Sequence, residues 1–436
     1  MSSQAQAFTT PLAEAPLNSR FGLAWRLALL ASLLLVGLLV LTLGASIFWG
    51  VGLWGVNIPF VWGFDLINYA WWVGVANGAS LFAAILVLRQ HDLRTAVNRF
   101  AEAIALFGVI CAGLFPIVHL GRPWLFYWVF PYPATYHVWP QFRSTLTWDF
   151  WAISTHVILT SLLWYIGLIP DLATLRDRAR RPRVQKFYGF FALGWRNSVR
   201  HWVHHQAAHR LVAILILPLI LIMQSTVAFE FASTLIPAWH DTRLPLHFVA
   251  TGLVQGLAAV LLVAWLLRWG LRLEPFIDDR DVDLLSWLVL ASALVTGFLY
   301  LDEAAAALLA EPMQTTAFLN RVFGDYAAFY WMAVLCCVLA PQILWWKRAR
   351  RSVLLGVILG LSVSAGVWLD RFSIIVGGFQ RDYLPSMWRS YSPTWTEAGL
   401  LVGTIGLFAA LLLLFARTLP AVSMFESRHD EHEDRA

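Results

Sequence analysis

The segment Cys111–Trp151 reads CAGLFPIVHLGRPWLFYWVFPYPATYHVWPQFRSTLTWDFW. It ends one apolar run at His119, crosses an aromatic loop and begins the next apolar run around Asp149. Because consecutive membrane helices run in opposite directions, we expect these two side chains at the same membrane face, on adjacent helix ends. Ionisable groups are costly to place at such depth, so this pair is the first candidate for a functional site.

The composition indicates an integral membrane protein. Of the 436 residues, 59% are hydrophobic and 13% are charged. About 20 apolar residues cross the hydrocarbon core, and lipid offers no partner for backbone amides, so each such run must be a helix. The sequence therefore predicts an all-α, polytopic membrane protein with about ten transmembrane helices. The ten apolar runs are 24–48, 66–88, 101–120, 147–169, 209–231, 246–267, 284–304, 326–346, 352–371 and 397–416.

The distribution of lysine and arginine predicts the orientation in the membrane. The tails and loops on one side hold 24 of these residues, and those on the other side hold 7. Since positively charged loops stay in the cytoplasm, we predict a bacterial inner-membrane protein with both termini cytoplasmic and His119 and Asp149 at the outer face. The first 20 residues lack the pattern of a removable signal peptide. The net charge of +5 follows from this topology and indicates no nucleic-acid partner.

A weak internal repeat predicts how the helices are grouped. Helices two to five and six to nine each have a long outer loop between their second and third members. The third member begins with an acid beside aromatic residues, Asp149 in one case and Asp325 in the other. We therefore predict two four-helix bundles flanked by two peripheral helices. The predicted boundaries are a tail at 1–20, a peripheral helix at 21–60, the first bundle at 61–235, the second bundle at 236–375, an outer loop with the last helix at 376–420, and a charged tail at 421–436.

The placement of cysteine and histidine argues against a cofactor held by this chain. None of the three cysteines has the spacing of a zinc or iron–sulfur site. Membrane haem needs a pair of axial histidines on facing helices, and no convincing pair is present. His201, His205 and His209 share one helix face, but a zinc site there would lack a fourth ligand. We expect no metal, haem or iron–sulfur cluster in this chain.

Several stretches of the chain resemble one family of membrane proteins. They are INYAWWVGVANGASLFAAILVL from Ile67, FPIVHLGRPWLFYW from Phe115, WPQFRSTLTWDFWAIST from Trp139 and RDYLPSMWRSYSPTWTE from Arg381. These stretches are similar to the NrfD/polysulfide reductase-like membrane subunits, and most of all to the ActC subunit of alternative complex III, a quinol oxidoreductase. The resemblance implies ten transmembrane helices and an outer-side quinol site without haem in this subunit.

The resemblance also implies which residues serve that site. The proposed quinol ligands of the family fall on His119 and Asp149. The acid that ends the fifth helix falls on Glu230, and the arginine that ends the ninth helix falls on Arg371. Glu230 stands where ActC-like proteins are expected to have aspartate. Quinol oxidation releases two electrons and two protons, so it needs groups that hydrogen-bond the hydroxyls and accept protons, as histidine and a buried carboxylate do.

Aromatic residues and a second histidine complete the predicted site. Trp124, Trp148 and Trp151 are expected to form flat apolar walls. His156 follows Asp149 by two helical turns on one face, about 10 Å further along the axis, where it would lie beneath a quinone ring. The structural alternative is that His119 caps the end of its helix and Asp149 caps the start of the next.

The predicted function is quinol oxidation, with menaquinol as the expected substrate, in a respiratory or photosynthetic complex of the alternative complex III type. The resemblance implies three kinds of partner besides the lipid bilayer: c-type cytochromes, a periplasmic iron–sulfur and molybdopterin-like subunit, and a second NrfD-like membrane subunit. Proton release at the outer face accompanies the reaction. Three alternatives stay open: a quinone-reactive anchor of a molybdopterin oxidoreductase of the polysulfide or sulfite type, an NrfD-like structural subunit without quinol chemistry, and an ion-coupled transporter.

Overall fold

Helices make up the regular structure of the chain in the computed structural model, which describes residues 22–89, 97–129, 145–270, 277–381 and 384–420. The tails predicted at 1–20 and 421–436 lie outside the described residues, as does the loop at 130–144. The helices are α1 (Leu23–Trp49), α2 (Phe64–Arg89), α3 (Asn98–His119), α4 (Thr145–Arg178), α5 (Pro182–Phe191), α6 (Val199–Ala232), α7 (Leu244–Gly270), α8 (Asp279–Leu309), α9 (Pro312–Phe323), α10 (Ala327–Val334), α11 (Lys347–Arg350), α12 (Val353–Gln380) and α13 (Trp395–Thr418).

Ten of the described helical segments are long and apolar enough to cross a bilayer. They are α1, α2, α3, α4, α6, α7, α8, α12, α13 and the segment Ala327–Trp345, in which α10 continues through a π-helical turn and a short 3-10 helix. The predicted all-α polytopic fold is therefore confirmed. The shorter helices α5 and α9 lie at opposite ends of the long ones, because α5 follows α4 and α9 follows the antiparallel α8.

The long helices pack in two groups of four. In the first bundle, α2 packs on α3 and α6, and α4 packs on the same two helices. In the second bundle, α7 packs on α8 and α12, while α10 packs on α12 and its continuation packs on α8. The helices α1 and α13 pack on each other and on α3, so both peripheral helices lie beside the first bundle.

Glycines bring the two bundles into backbone contact where α2 crosses α7. A Cβ atom added to Gly256 would lie 2.3 Å from the Cα atom of Gly78, and one added to Gly78 would lie 2.6 Å from the Cα atom of Gly256. One turn away, Gly74 and Gly252 face each other, since a Cβ on either would lie 3.4 Å from the Cα of the other. Small residues permit this close approach. It matters because lipid provides no hydrophobic drive for helix association, so close packing must hold the helices together.

This contact predicts that Gly256→Val destabilises the protein by about 1–3 kcal/mol or more, because the added methyl groups would have to displace backbone rather than a flexible side chain. The measurement is the midpoint of thermal unfolding of the detergent-purified protein. Gly37→Val is the matched control, since no atom lies within 4 Å of a Cβ at Gly37 in α1. Equal midpoints for the two variants would show that the α2–α7 contact does not hold the bundles together.

Candidate functional site

A cavity of about 660 Å³ lies at the end of the first bundle where α3 ends and α4 begins. We call this end of the molecule the His119 end. Residues of α2, α3, α4 and α6 contribute to the lining, which is mainly apolar. Five ionisable side chains interrupt that lining, Asp65, Tyr69, His119, Asp149 and Glu230, together with the hydroxyl groups of Thr147 and Ser154.

Two carboxyl groups meet on one wall of the cavity. Asp149, in the first turns of α4, is hydrogen-bonded to Glu230 near the end of α6. The hydroxyl of Tyr69 donates a hydrogen bond to Oδ1 of Asp149. All three side chains are buried, and Oε1 of Glu230 has no hydrogen-bond partner among the residues that the structure describes. Two adjacent carboxylates in apolar surroundings repel each other, and a proton shared between them relieves that repulsion.

A histidine and a third carboxyl group face the same cavity. His119 is the last residue of α3, and its Nδ1 contacts Oδ2 of Asp65 in the first turn of α2. The other oxygen of Asp65 accepts a hydrogen bond of 3.0 Å from the backbone N–H of Gly63. The ring of Trp62 lies beside the imidazole, with 6.4 Å between centroids. The His119 side chain is 34% exposed while Asp65 is buried, so the imidazole is the member of the pair that a ligand can reach.

Charge compensation distinguishes this site. Within the described residues, no lysine or arginine forms an ion pair with Asp65, Asp149 or Glu230. A charge in a low-dielectric region needs a counter-charge or a proton. Among the described residues His119 is the only basic side chain that lines the cavity, so the net charge of the cavity depends on how many protons its imidazole and carboxyl groups hold. The site can therefore accept and release protons at two separate places, the carboxyl pair and the imidazole.

The structure places the other predicted residues away from the cavity lining. Trp124, Trp148 and Trp151 are 56%, 45% and 44% exposed, and the aromatic lining comes instead from phenylalanines such as Phe115 and Phe150. His156 is buried and points inward, where its Nε2 lies 3.1 Å from Oγ of Ser80 in α2. The cavity does not extend toward His156. It extends along α4 toward exposed residues on the outside of the bundle.

Arg371 belongs to a different cluster, inside the second bundle. Its side chain is fully buried in α12, and its guanidinium donates to Oδ2 of Asp370 at 2.8 Å and to Oγ1 of Thr251 at 2.6 Å. The guanidinium carbon also lies 3.6 Å from the centroid of the Phe248 ring. The structure thus brings together three of the four predicted catalytic residues, His119, Asp149 and Glu230, and does not bring Arg371 to them.

The cluster around Asp370 balances its charges. Asp370 accepts hydrogen bonds from the Tyr300 hydroxyl at 2.6 Å and from His247 Nε2 at 3.1 Å. Arg321 of α9 contacts both Asp370 and Glu303. Burial disfavours the charge on Arg321, but those two carboxylates outweigh it and raise the pKa of its guanidinium. Two arginines, Arg321 and Arg371, therefore face two carboxylates, and this cluster needs no exchangeable proton.

Asp325 is the sequence counterpart of Asp149 in the second bundle, but the surroundings of the two residues differ. Asp325 precedes α10, is exposed, and accepts a hydrogen bond from Gln380. The internal repeat seen in the sequence thus extends to the arrangement of helices but not to a second buried carboxyl pair at that position.

These contrasts predict that the same substitution has a large effect on stability at one buried position and a small effect at another. Asp370→Asn leaves two buried arginines facing one carboxylate and should destabilise the protein by about 3–5 kcal/mol. Asp149→Asn removes a carboxyl group that pairs with no lysine or arginine of the described chain, and it should leave stability within about 1 kcal/mol of wild type. Thermal unfolding of both variants, with the exposed Asp325→Asn as control, measures the difference. A loss of stability in Asp149→Asn as large as that in Asp370→Asn would contradict the charge assignment.

Sequence reasoning missed Asp65 and Tyr69. The predicted second span began at residue 66, which left Asp65 in a loop, although the structure begins α2 at Phe64. The available signal was an acid followed four residues later by a tyrosine at the start of an apolar run, because side chains at that spacing share a helix face. Their partners His119 and Asp149 are distant in sequence, and the packing of α2 and α4 on the same two helices, α3 and α6, brings them together.

Ten described helices long and apolar enough to cross a membrane, and an apolar cavity with ionisable groups at one end of them, define a multi-pass membrane protein with a candidate site. The chain belongs to the polysulphide reductase NrfD family, whose sequence pattern matches residues 53–381. The predicted family is thus confirmed, while the specific resemblance to ActC stays a prediction.

Two relatives illustrate the family. The chain is 22% identical to the C subunit of the selenate reductase of Mesobacillus selenatarsenatis over 401 residues, which cover 85% of this chain and 88% of that protein. It is 26% identical to a protein of Halobacterium salinarum that is named as a dimethyl sulfoxide reductase membrane subunit, over 446 aligned positions covering 94% of each. Both similarities extend over most of the chain, so they include the helices that form the cavity.

Proposed function

We propose that this chain is the quinol-binding and quinol-oxidising membrane subunit of a multi-subunit oxidoreductase. The observation that carries the proposal is the location of His119 and the Asp149–Glu230 pair in one apolar cavity, where no lysine or arginine of the described residues pairs with the carboxyl groups. Proton acceptors at two places match a substrate that loses two protons. Membership of the NrfD family and the names of the two relatives, both subunits of reductases, support a role in an oxidoreductase complex.

The shape of the cavity also suits a lipid-soluble substrate. Two residues of its lining, Ile117 of α3 and Ile158 of α4, are 39% and 58% exposed on the outside of the bundle. These residues lie within membrane-crossing helices, so this side of the cavity faces lipid. The volume of about 660 Å³ is within the usual range of small-molecule sites. A ring would occupy the cavity beside the ionisable groups while an apolar tail remained between α3 and α4 and the bilayer.

In the proposed reaction, one quinol hydroxyl donates its proton to Nε2 of His119. The other hydroxyl donates its proton to the Asp149–Glu230 pair, which accepts it when one of its two carboxyl groups is ionised. Two electrons leave the ring for a redox centre of a partner subunit, and the product is quinone. Tyr69 holds Asp149 in place through its hydroxyl group. General bases positioned in this way typically contribute about 10²–10⁴-fold to a rate.

The partner that receives the electrons must dock at the His119 end, because electrons leave from that side of the bundle. We propose that this end is the outer face of a bacterial inner membrane and that both termini are cytoplasmic, since the lysines and arginines are concentrated at the opposite side. The partners in this proposal are an iron–sulfur protein that resembles molybdopterin proteins, c-type cytochromes and a second NrfD-like subunit. Menaquinol is the proposed substrate, and proton release follows at the outer face.

A second candidate differs only in the partner complex. The relatives are named as subunits of a selenate reductase and a dimethyl sulfoxide reductase, which favours a membrane anchor that passes electrons to a molybdopterin oxidoreductase. The complex purified through a tag on this chain separates the two candidates. Reduction of c-type haem by added quinol supports the alternative complex III type, whereas turnover of an oxyanion or sulfoxide by a molybdopterin subunit supports the anchor.

Asp149→Asn should lower quinol oxidation by the purified complex by about 100-fold or more, because the amide cannot accept a proton. The substituted side chain can still accept from Tyr69 and contact Glu230, so the cavity should keep its shape. The rate is followed by the absorbance of the partner's redox centres after addition of a reduced quinol analogue. Asp325→Asn, at the exposed counterpart, is the control, and equal rates in all three proteins would remove Asp149 from the mechanism.

Quinone binding can be tested without turnover. Ile153 is buried and lines the cavity, so Ile153→Trp should fill part of it and weaken binding of a quinone analogue by about tenfold or more. The measurement is the rise in unfolding temperature on adding the analogue to the protein. Ile214→Trp in α6, where the side chain is 51% exposed and does not line the cavity, is the matched control. An unchanged shift in Ile153→Trp would place the ligand elsewhere.

A further inference from the structure

We infer that Asp65 is a positioning residue that sets the protonation of His119: it keeps the proton on Nδ1 and so leaves Nε2 free to accept a proton from the substrate. The inference rests on the proposed function and adds to it the residue that makes His119 a base. Asp65 does not need to touch the substrate for this role, since it acts through the imidazole.

The hydrogen bonds of Asp65 determine which ring nitrogen carries the proton. One carboxylate oxygen accepts from the Gly63 N–H at 3.0 Å, and the other contacts Nδ1 of His119. A carboxylate can only accept, so Nδ1 must carry a hydrogen. Within the described part of the chain no group pairs with Nε2 of His119. In the neutral imidazole, that nitrogen therefore has its lone pair available.

The ends of two helices reinforce this arrangement. Asp65 lies in the first turn of α2, where the helix dipole favours negative charge, and His119 is the last residue of α3, where it favours positive charge. After Nε2 has taken a proton, the resulting imidazolium faces a carboxylate that is buried and already held by Gly63. Asp65 is thus suited both to prepare His119 before proton transfer and to stabilise it afterwards.

The contact with Gly63 makes one substitution especially informative. In Asp65→Asn the Gly63 N–H still requires an acceptor, so the amide oxygen should turn toward it and the amide NH₂ group toward His119. An NH₂ group can only donate, so Nδ1 would have to accept and the proton would move to Nε2. His119 would then be held in the form that cannot accept a proton from the substrate, a fault known to disable the histidine of serine proteases. Asp65→Ala leaves both forms accessible.

The experiment compares wild type, Asp65→Ala and Asp65→Asn in the purified complex. We expect kcat for quinol oxidation to decrease in that order, by about 100-fold or more in Asp65→Asn, with KM changed by less than about threefold. A carboxylate that merely stabilised the fold or contributed negative charge would not make the isosteric asparagine worse than alanine. An Asp65→Asn rate equal to or above that of Asp65→Ala would overturn the inference.

Nitrogen-15 NMR of the histidine rings in bilayer-reconstituted protein provides a readout independent of activity. The His119 signals are assigned by their loss in His119→Gln. We expect the proton on Nδ1 in wild type and on Nε2 in Asp65→Asn, and a proton remaining on Nδ1 in Asp65→Asn would refute the role of Asp65. If the wild-type complex did not oxidise quinol, the proposed function would fail, and the spectra would still decide whether Asp65 sets the protonation of His119.

Discussion

Uncompensated negative charge in a low-dielectric environment is the constraint on which the site depends. The second bundle surrounds Asp370 with Arg321, Arg371 and His247, and the resulting ionic cluster stabilises the packing of its helices. The first bundle has no arginine or lysine paired with its cavity carboxyls within the described residues. Protons must take the place of the missing cations. Two similar four-helix bundles thus differ in character, one held by fixed charges and the other able to exchange protons.

The physics of packing explains which features the sequence predicts and which features it cannot predict. Hydropathy alone predicts the spans, because lipid requires long apolar helices, and alternating direction places His119 and Asp149 at one end. The resemblance to NrfD-like subunits was needed to select Glu230 among several acids at helix ends. Asp65 was missed because the predicted span began at residue 66, and the spacing of Asp65 and Tyr69, although it places them on one helix face, does not show that His119 and Asp149 are their partners.

Side-chain direction is the second property that the sequence pattern could not supply. A spacing of seven residues does place His156 on the same broad face as Asp149, but it cannot show that the cavity leaves that face and extends toward the lipid side. The tryptophans near the cavity were expected to form its walls, yet they lie half exposed, as is common for aromatic residues near a membrane surface. Arg371 was assigned by family resemblance alone, and the structure places it in the charge-balanced cluster.

The exposed edge formed by Ile117 and Ile158 has a consequence for how the site is supplied. The proposed quinol would enter the cavity through this edge directly from the hydrocarbon phase, so the pool dissolved in the lipid, and not a pool in the water, would supply the site. The relevant quantity is the mole fraction of substrate among the lipids, and encounters occur by diffusion in two dimensions. Saturation of the site should therefore follow the composition of the membrane, and dilution of the cell contents or the buffer would leave it unchanged.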